Sequence, residues 1–267
     1  MPQEIAGKPF KPFNFRLRER LDSLMFFFPL TAIFLGWELA VRLSVSARSL
    51  LPSPVTVART MLAEMFNPSF LSLVGQSFSV LTAGLLVALL MAVPLAVATG
   101  LKQKVDAAFT PLLMLLGALP DIALLPIIIY WFGPTVTSAL LMAIIVAFFP
   151  LFFMVREGVN AIPKDYFHVV EIYSTNRFHL YTKLLLPATL PNLVAGLRLA
   201  YEFLWEVVLA VEIIARLNGV GLLIDSSVKA GALSEAFAAL FFIGLTAILV
   251  DRLLFQRLED RVRRWRD

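Results

Sequence analysis

Residues 73–99 read LVGQSFSVLTAGLLVALLMAVPLAVAT, without one charged side chain. That run exceeds the roughly 20 mainly apolar residues a helix needs to cross a bilayer, and it decides the fold class. Further apolar runs lie at Leu24–Leu43, Ala108–Trp131, Val136–Val155, Leu190–Ala215 and Ala236–Leu254. They predict an all-α membrane protein of about six transmembrane helices. Pro111, Pro120 and Pro126 interrupt the third run, where breaks are expected. Of the 267 residues, 59% are apolar and 16% charged, and the mean hydropathy is +0.83, too few charges to solvate a water-soluble domain. The organisation read from this is an amino-terminal segment 1–23, a transmembrane domain 24–256 and a basic tail 257–267.

The net charge is +4, but the basic residues gather in tails and loops instead of forming a groove, which argues for topology signals and against nucleic acid. Lys8, Lys11, Arg16, Arg18 and Arg20 precede the first run; Lys102 and Lys104 follow the second; Arg156, Lys164, Arg177 and Lys183 follow the fourth. Arg252, Arg257, Arg261, Arg263, Arg264 and Arg266 close the chain on the same side, opposite Arg42, Arg48, Arg59, Arg216 and Lys229. Both termini are therefore expected in the cytoplasm. The residues ahead of Leu24 carry no apolar core with a cleavage site, so the first span is expected to serve as a retained insertion signal. Cysteine is absent and histidine occurs only at His168 and His179, so neither a metal site nor a catalytic thiol is expected.

The connection from Arg156 to Pro187 has its own pattern. Pro163 and Asp165 suit a helix start, and Phe167, Val170, Ser174, Phe178 and Tyr181 then recur at helical spacing, with Lys164, Glu171, Arg177 and Lys183 on other faces. An amphipathic helix is predicted, ended by a break at Pro187 and Pro191 before the next span. Its periodicity fits a protein partner and a layer of lipid headgroups equally well.

Leu186-Pro187-Ala188-Thr189-Leu190-Pro191, followed by Ala195-Gly196-Leu197-Arg198, resembles the hallmark of binding-protein-dependent ABC importer permeases. Leu51-Pro52-Ser53-Pro54, Trp131-Phe132-Gly133, Phe149-Pro150, and Glu212 with Gly219-Val220-Gly221-Leu222-Leu223-Ile224 are similar to the sulfonate, taurine, nitrate and bicarbonate branch. The resemblance implies a type I importer permease fold in a bacterial cytoplasmic (inner) membrane. Residues of about 163–186 would form a coupling helix docking on a separate ABC ATPase through His168, Val169, Val170, Glu171, Ser174, Phe178 and Pro187. Counted back from Pro187, His168 stands where the family has a glutamate, Ser174 where it has a glycine, and Val169 and Val170 where it has alanines. That divergence suggests a dedicated ATPase with a matching cleft, or a second, more typical permease. The implied partners are ATPase subunits, a second permease chain in a homodimer or heterodimer, a periplasmic or lipid-anchored solute-binding protein and membrane lipid. The chain contains no G-x-x-x-x-G-K-[ST], so ATP and Mg are expected on the ATPase and no cofactor on this chain.

Arg198, Glu202, Glu206 and Glu212, with Trp205, fall within roughly 120° of arc on the fifth run. Charges at membrane depth are costly enough that this face is expected to line the translocation pathway or a subunit interface. Arg198 and Glu202, four apart, can pair, and Glu38 is expected to be interfacial or paired with Arg42, four residues on. Glu206 is the leading pathway candidate. Asp121, flanked by Pro120 and with Pro126 following, is a second, either lining a cavity or lying at a solvent turn. Acidic groups suit an anionic substrate poorly, which leaves cationic or neutral solutes, such as pyrimidine precursors of thiamine, open.

These features lead to the permease subunit of an importer working by alternating access on a small polar organic or inorganic solute of sulfonate, taurine, nitrate or bicarbonate type. The alternative is an ATP-independent secondary transporter or channel, for which internal repeats are expected and none is evident. A membrane enzyme is disfavoured by the lack of a nucleophile triad or metal motif.

Overall fold

Apolar runs of this length become helices because in hydrocarbon every backbone N–H and C=O has to be satisfied within its own segment. The computed structural model describes residues 15–43, 51–173 and 177–263, and among them there are helices and no strands. Ser174, with Lys8, Lys11, Arg48, Arg264 and Arg266, lies outside the described residues. The chain divides into two units, residues 1–58 and 59–267.

In the first unit, α1 (Phe15–Leu43) contains the first apolar run. Arg42 Nε lies 2.6 Å from Glu38 Oε1, the pair expected from their spacing. The turn opening α2 (Pro54–Glu64) is capped by Ser53, whose hydroxyl accepts from the Thr56 amide.

The second unit takes in the end of α2 and then α3 (Pro68–Leu101), opened by Asn67 accepting from the Ser69 amide with Pro68 in the first turn. There follow α4 (Gln103–Gly117), α5 (Asp121–Phe132), α6 (Val136–Asn160) and α7 (Lys164–Tyr173). A turn at Arg177–His179 and a π-helical stretch Leu180–Leu185 lead into α8 (Leu186–Ile214). α9 (Val220–Lys229), α10 (Leu233–Val250), a second π-helical stretch Asp251–Phe255 and α11 (Gln256–Arg263) complete it.

α6 packs between α3 and α8. The approach is close because α3 presents Gly84, Ala88, Ala92, Ala96 and Gly100 at every fourth position, one small-residue stripe. A Cβ on Gly84 would strike Ala143, and one on Gly100 would strike Val159. Ala88, Ala92 and Ala96 are fully buried, as are Ala143, Ala147 and Phe152 of α6. Dispersion between closely packed backbones replaces the hydrophobic drive that lipid does not supply.

Among the described residues, three helices are long and apolar enough to cross a membrane: Pro68–Leu101, Val136–Asn160 and Leu233–Val262. α8 has the length but is not among them. The expected third span is a bent pair, α4 and α5 meeting at 93°, which together could make one more. Pro120 supplies the bend: it has no N–H to continue α4 and disfavours a helical conformation at Leu119. Pro126, where a second break is expected, lies inside α5 without interrupting it.

Pro187 and Pro191 likewise fail to break the chain. Pro187 sits in the first turn of α8, where an absent N–H costs nothing, and the preceding π-helical stretch carries the Leu186 amide to the Tyr181 carbonyl. Thr189 Oγ1 donates to the Leu185 carbonyl at 2.7 Å. α8 therefore begins at Leu186, and the stretch Leu180–Leu185 leads into it without a break.

Basic segments of the second unit meet at one end. Asp106 and Arg156 pair across α4 and α6, Gly158 abuts Asn192, and Arg198 pairs with Asp251. At the other end the Val220 amide donates to Ser77 and Phe70 meets Phe242 edge to face.

Candidate functional site

Two regions collect the expected functional residues: α7 with the base of α8, and the polar positions along α8.

α7 begins one residue after Pro163, with Asp165 in its first turn. Phe167 and Val170 are half-buried, whereas Tyr166, Val169 and Ile172 form an exposed row at spacing three, Ile172 being 80% exposed. Of the expected stripe, Phe167 and Val170 thus lie on the inward side of the helix, and the outward apolar row includes two residues that the periodicity did not single out, Tyr166 and Ile172. Phe178 and Tyr181 are exposed further along, and His168 is exposed on α7. Glu171 belongs to α7, while Ser174 follows it outside the described residues. Pro187 lies at the start of α8, exposed.

The single polar face expected on α8 is split by burial. Trp205 is 5% exposed and Glu212 3%, both within the packed interior, while Glu202 and Glu206 are exposed and Arg198 is intermediate. The arc is as narrow as the spacing implies, but it straddles the edge of the buried stripe that holds Tyr201, Leu204 and Val208. Trp205 packs against Tyr201 and Phe78.

Glu212 turns inward to cap α9. Its Oε2 accepts from the Gly221 amide at 2.7 Å. A Cβ on Gly219 would collide with the Glu212 carboxylate, and one on Gly221 with the Leu209 carbonyl, so the Gly-Val-Gly element exists to let the helix start close over this group. Glu212 is accordingly separate from the cavity described next.

Asp121 and Glu206 come together. They line one cavity of about 240 Å³ with Pro120, Ile122, Val146, Phe203 and Val207. Asp121 is the first residue of α5, set beside the bend, a position where the positive end of the helix favours a carboxylate. Among the described residues the cavity wall carries two carboxylates and no basic side chain.

Arg198 is paired chiefly outside its own helix. Its Nε lies 2.7 Å from Asp251 Oδ1 and its Nη2 2.9 Å from Oδ2, against 3.8 Å to Glu202 and 3.6 Å to Glu259. Asp251 and Asp106 are the polar residues that sequence reasoning missed. Asp106 accepts from Arg156 Nε at 2.7 Å and Nη2 at 2.9 Å, and from Thr110 Oγ1 at 2.6 Å. An aspartate one turn past the basic Lys102–Lys104 loop was the available signal for that pair.

Residues 84–264 match the family described as binding-protein-dependent transport system inner membrane component. The chain belongs to this family. It is a multi-pass permease component of the inner membrane, and the family is a transport component, not an enzyme. The permease is 28% identical over 250 residues to a bicarbonate transport system permease protein of Synechococcus elongatus (88% of each chain). It is 24% identical over 241 residues to a taurine transport system permease protein of Escherichia coli (88% of this chain, 87% of the relative). It is also 26% identical over 185 residues to a formylaminopyrimidine transport permease protein of Halalkalibacterium halodurans (69% of this chain, 72% of the relative). These relatives share the permease role and differ in their named cargo, so the matched length carries the common architecture and not the substrate.

Proposed function

We propose that this chain is the translocation subunit of an ATP-driven importer whose energy enters through α7 from a separate ABC ATPase. The observation that carries this reading is the exposed row Tyr166, Val169 and Ile172, continued by Phe178 and Tyr181. Exposed to water these side chains gain nothing, whereas burying one of the size of Ile172 in a partner's cleft is worth about 1.5–3 kcal/mol. ATP and Mg belong to that partner, since the phosphate-cradling motif is absent from this sequence. The basic end of the second unit, including α7, faces the cytoplasm in this reading.

The pathway runs past Asp121 and Glu206, which share a cavity at the α4–α5 bend. A second permease chain completes the enclosure, and a solute-binding protein delivers the cargo from outside. The cargo is a small polar solute of the kind the family's relatives carry. Two carboxylates in one cavity favour a solute that presents a cation or hydrogen-bond donors there, as an amine or an aminopyrimidine does.

The test uses the absence of cysteine from the chain. Ile172→Cys provides one attachment point for a photoreactive maleimide in the full chain co-expressed with a candidate ABC ATPase subunit. The expected product is an adduct with that ATPase. Adducts with lipid alone, from cells that contain the ATPase, would support an interfacial helix and the ATP-independent alternative.

A further inference from the structure

A groove of about 390 Å³ opens between the base of α8 and α11, at the foot of the coupling segment. Leu186, Pro187 and Leu190 form one wall, Leu258 and Val262 the other, with Thr182 and Arg261 at its polar rim. The Thr182 hydroxyl is already committed to the Phe178 carbonyl at 2.8 Å. Arg261 is exposed and makes no hydrogen bond or ion pair with another described residue.

The charge on α11 is sorted around this groove. At about 100° per residue, Leu258, Arg261 and Val262 share one side of the helix and Arg257 falls within roughly 40° of Arg261. Glu259 lies roughly 160° from Arg261, where it meets Arg198 at 3.6 Å, and Asp260 roughly 100° away. The groove thus presents apolar walls under a basic rim, with the acidic residues turned elsewhere.

Depth is set by α10. The apolar run ends at Leu254, so Leu258 follows by roughly 6 Å and Arg261 by roughly 10 Å along the helix. The headgroup layer beyond the hydrocarbon is roughly 5–7 Å thick on each side. The Leu258 backbone therefore lies at the water-facing edge of the headgroup layer and that of Arg261 roughly 3–5 Å beyond it, within reach of the phosphates through its long side chain.

We infer that this groove binds an anionic phospholipid, an acyl chain lying between the Leu186–Leu190 turn and Leu258, and the phosphate held by Arg261. Basic pockets between membrane helices hold acidic headgroups by this combination of apolar contact and charge. Because Thr182 and Leu186 flank the junction between the coupling segment and α8, the bound lipid would brace that junction against α11.

The test is lipid retention by the purified, delipidated full chain in detergent, titrated with phosphatidylglycerol and separately with phosphatidylcholine and read by native mass spectrometry. The wild-type chain should retain phosphatidylglycerol over phosphatidylcholine. Arg261→Gln should lower phosphatidylglycerol retention about five-fold, the effect of one basic side chain at a lipid surface, while Arg252→Gln, which is exposed and outside the groove, should leave it unchanged. Leu190→Trp should reduce retention by filling the groove; if that chain does not fold, Leu186→Trp, at a half-exposed position, makes the same test. Inorganic phosphate should not compete. Equal retention by wild type and Arg261→Gln, or displacement of the lipid by inorganic phosphate, would overturn the assignment.

Discussion

Arg198 on α8 reaches across 53 positions of sequence to hold Asp251 with two nitrogens, at 2.7 and 2.9 Å. The pair binds the middle of α8 to the π-helical stretch that follows α10 and is supported by the Tyr201–Phe255 ring contact beside it. Glu202, the local partner expected from the spacing, stands 3.8 Å away and is exposed.

The geometry separates the two carboxylates by experiment. Arg198→Lys keeps the charge and loses the fork, and is expected to cost about 1 kcal/mol at this part-exposed site. In detergent that is a fall in melting temperature of about 2–4 °C for a chain of this size. Glu202→Gln should leave the melting temperature unchanged. A fall with Glu202→Gln equal to that with Asp251→Asn would place the support within α8 instead.

Glu212 should behave as a structural cap. Glu212→Ala removes the acceptor of the buried Gly221 amide and should destabilise the chain by about 1–3 kcal/mol. Glu212→Gln retains a carbonyl oxygen and should cost less. Gly219→Ala, whose added Cβ meets the carboxylate, should cost about 1–3 kcal/mol from overpacking. Thermal unfolding of the three purified variants gives the order; a Glu212→Ala chain as stable as wild type would remove the capping role.

Much of this architecture was legible in the sequence, and what was not has physical causes. α3, α6 and α10 follow from uninterrupted apolar runs, because lipid leaves the backbone no alternative to helix. Pro120 marked the bend, but Pro126 looked equivalent to it; the difference is that α5 has already begun at Asp121 and absorbs one missing N–H. Asp251 was hidden as a partner of Arg198 because a nearer acidic residue satisfied the local rule, and pairing over 53 positions leaves no periodic trace. On α7, apolar residues occupy both sides, so Phe167 and Val170 could be taken for the outward face when Tyr166 and Ile172 hold it. Glu212 was legible only in part: the glycines seven and nine positions on signal a close approach, but not that the carboxylate itself is what approaches.

The cavity shared by Asp121 and Glu206 predicts a transport phenotype. Glu206→Gln should change the apparent KM for uptake about five-fold or more, corresponding to about 1 kcal/mol, at unaltered protein level. Asp121→Asn should act in the same direction, and the double variant should show less than the sum because the groups share one cavity. Uptake kinetics in membrane vesicles read both effects; unchanged kinetics in both single variants would take the pathway elsewhere.

Ile172→Asp sets a charge in the centre of the exposed row on α7. Insertion and stability should be unaffected, while stimulation of ATPase activity by loaded solute-binding protein is expected to fall at least ten-fold. Phe178→Asp should do the same. Full stimulation in both variants would contradict docking through this face.

Reconstitution into proteoliposomes tests the central claim most directly. With this chain, its ABC ATPase, any second permease chain and the solute-binding protein present, labelled solute should accumulate only when ATP and Mg are supplied on the ATPase side, and Ile172→Asp should abolish accumulation without dissolving the membrane complex. Solute uptake by this chain alone, driven by a solute or ion gradient without ATP, would contradict it.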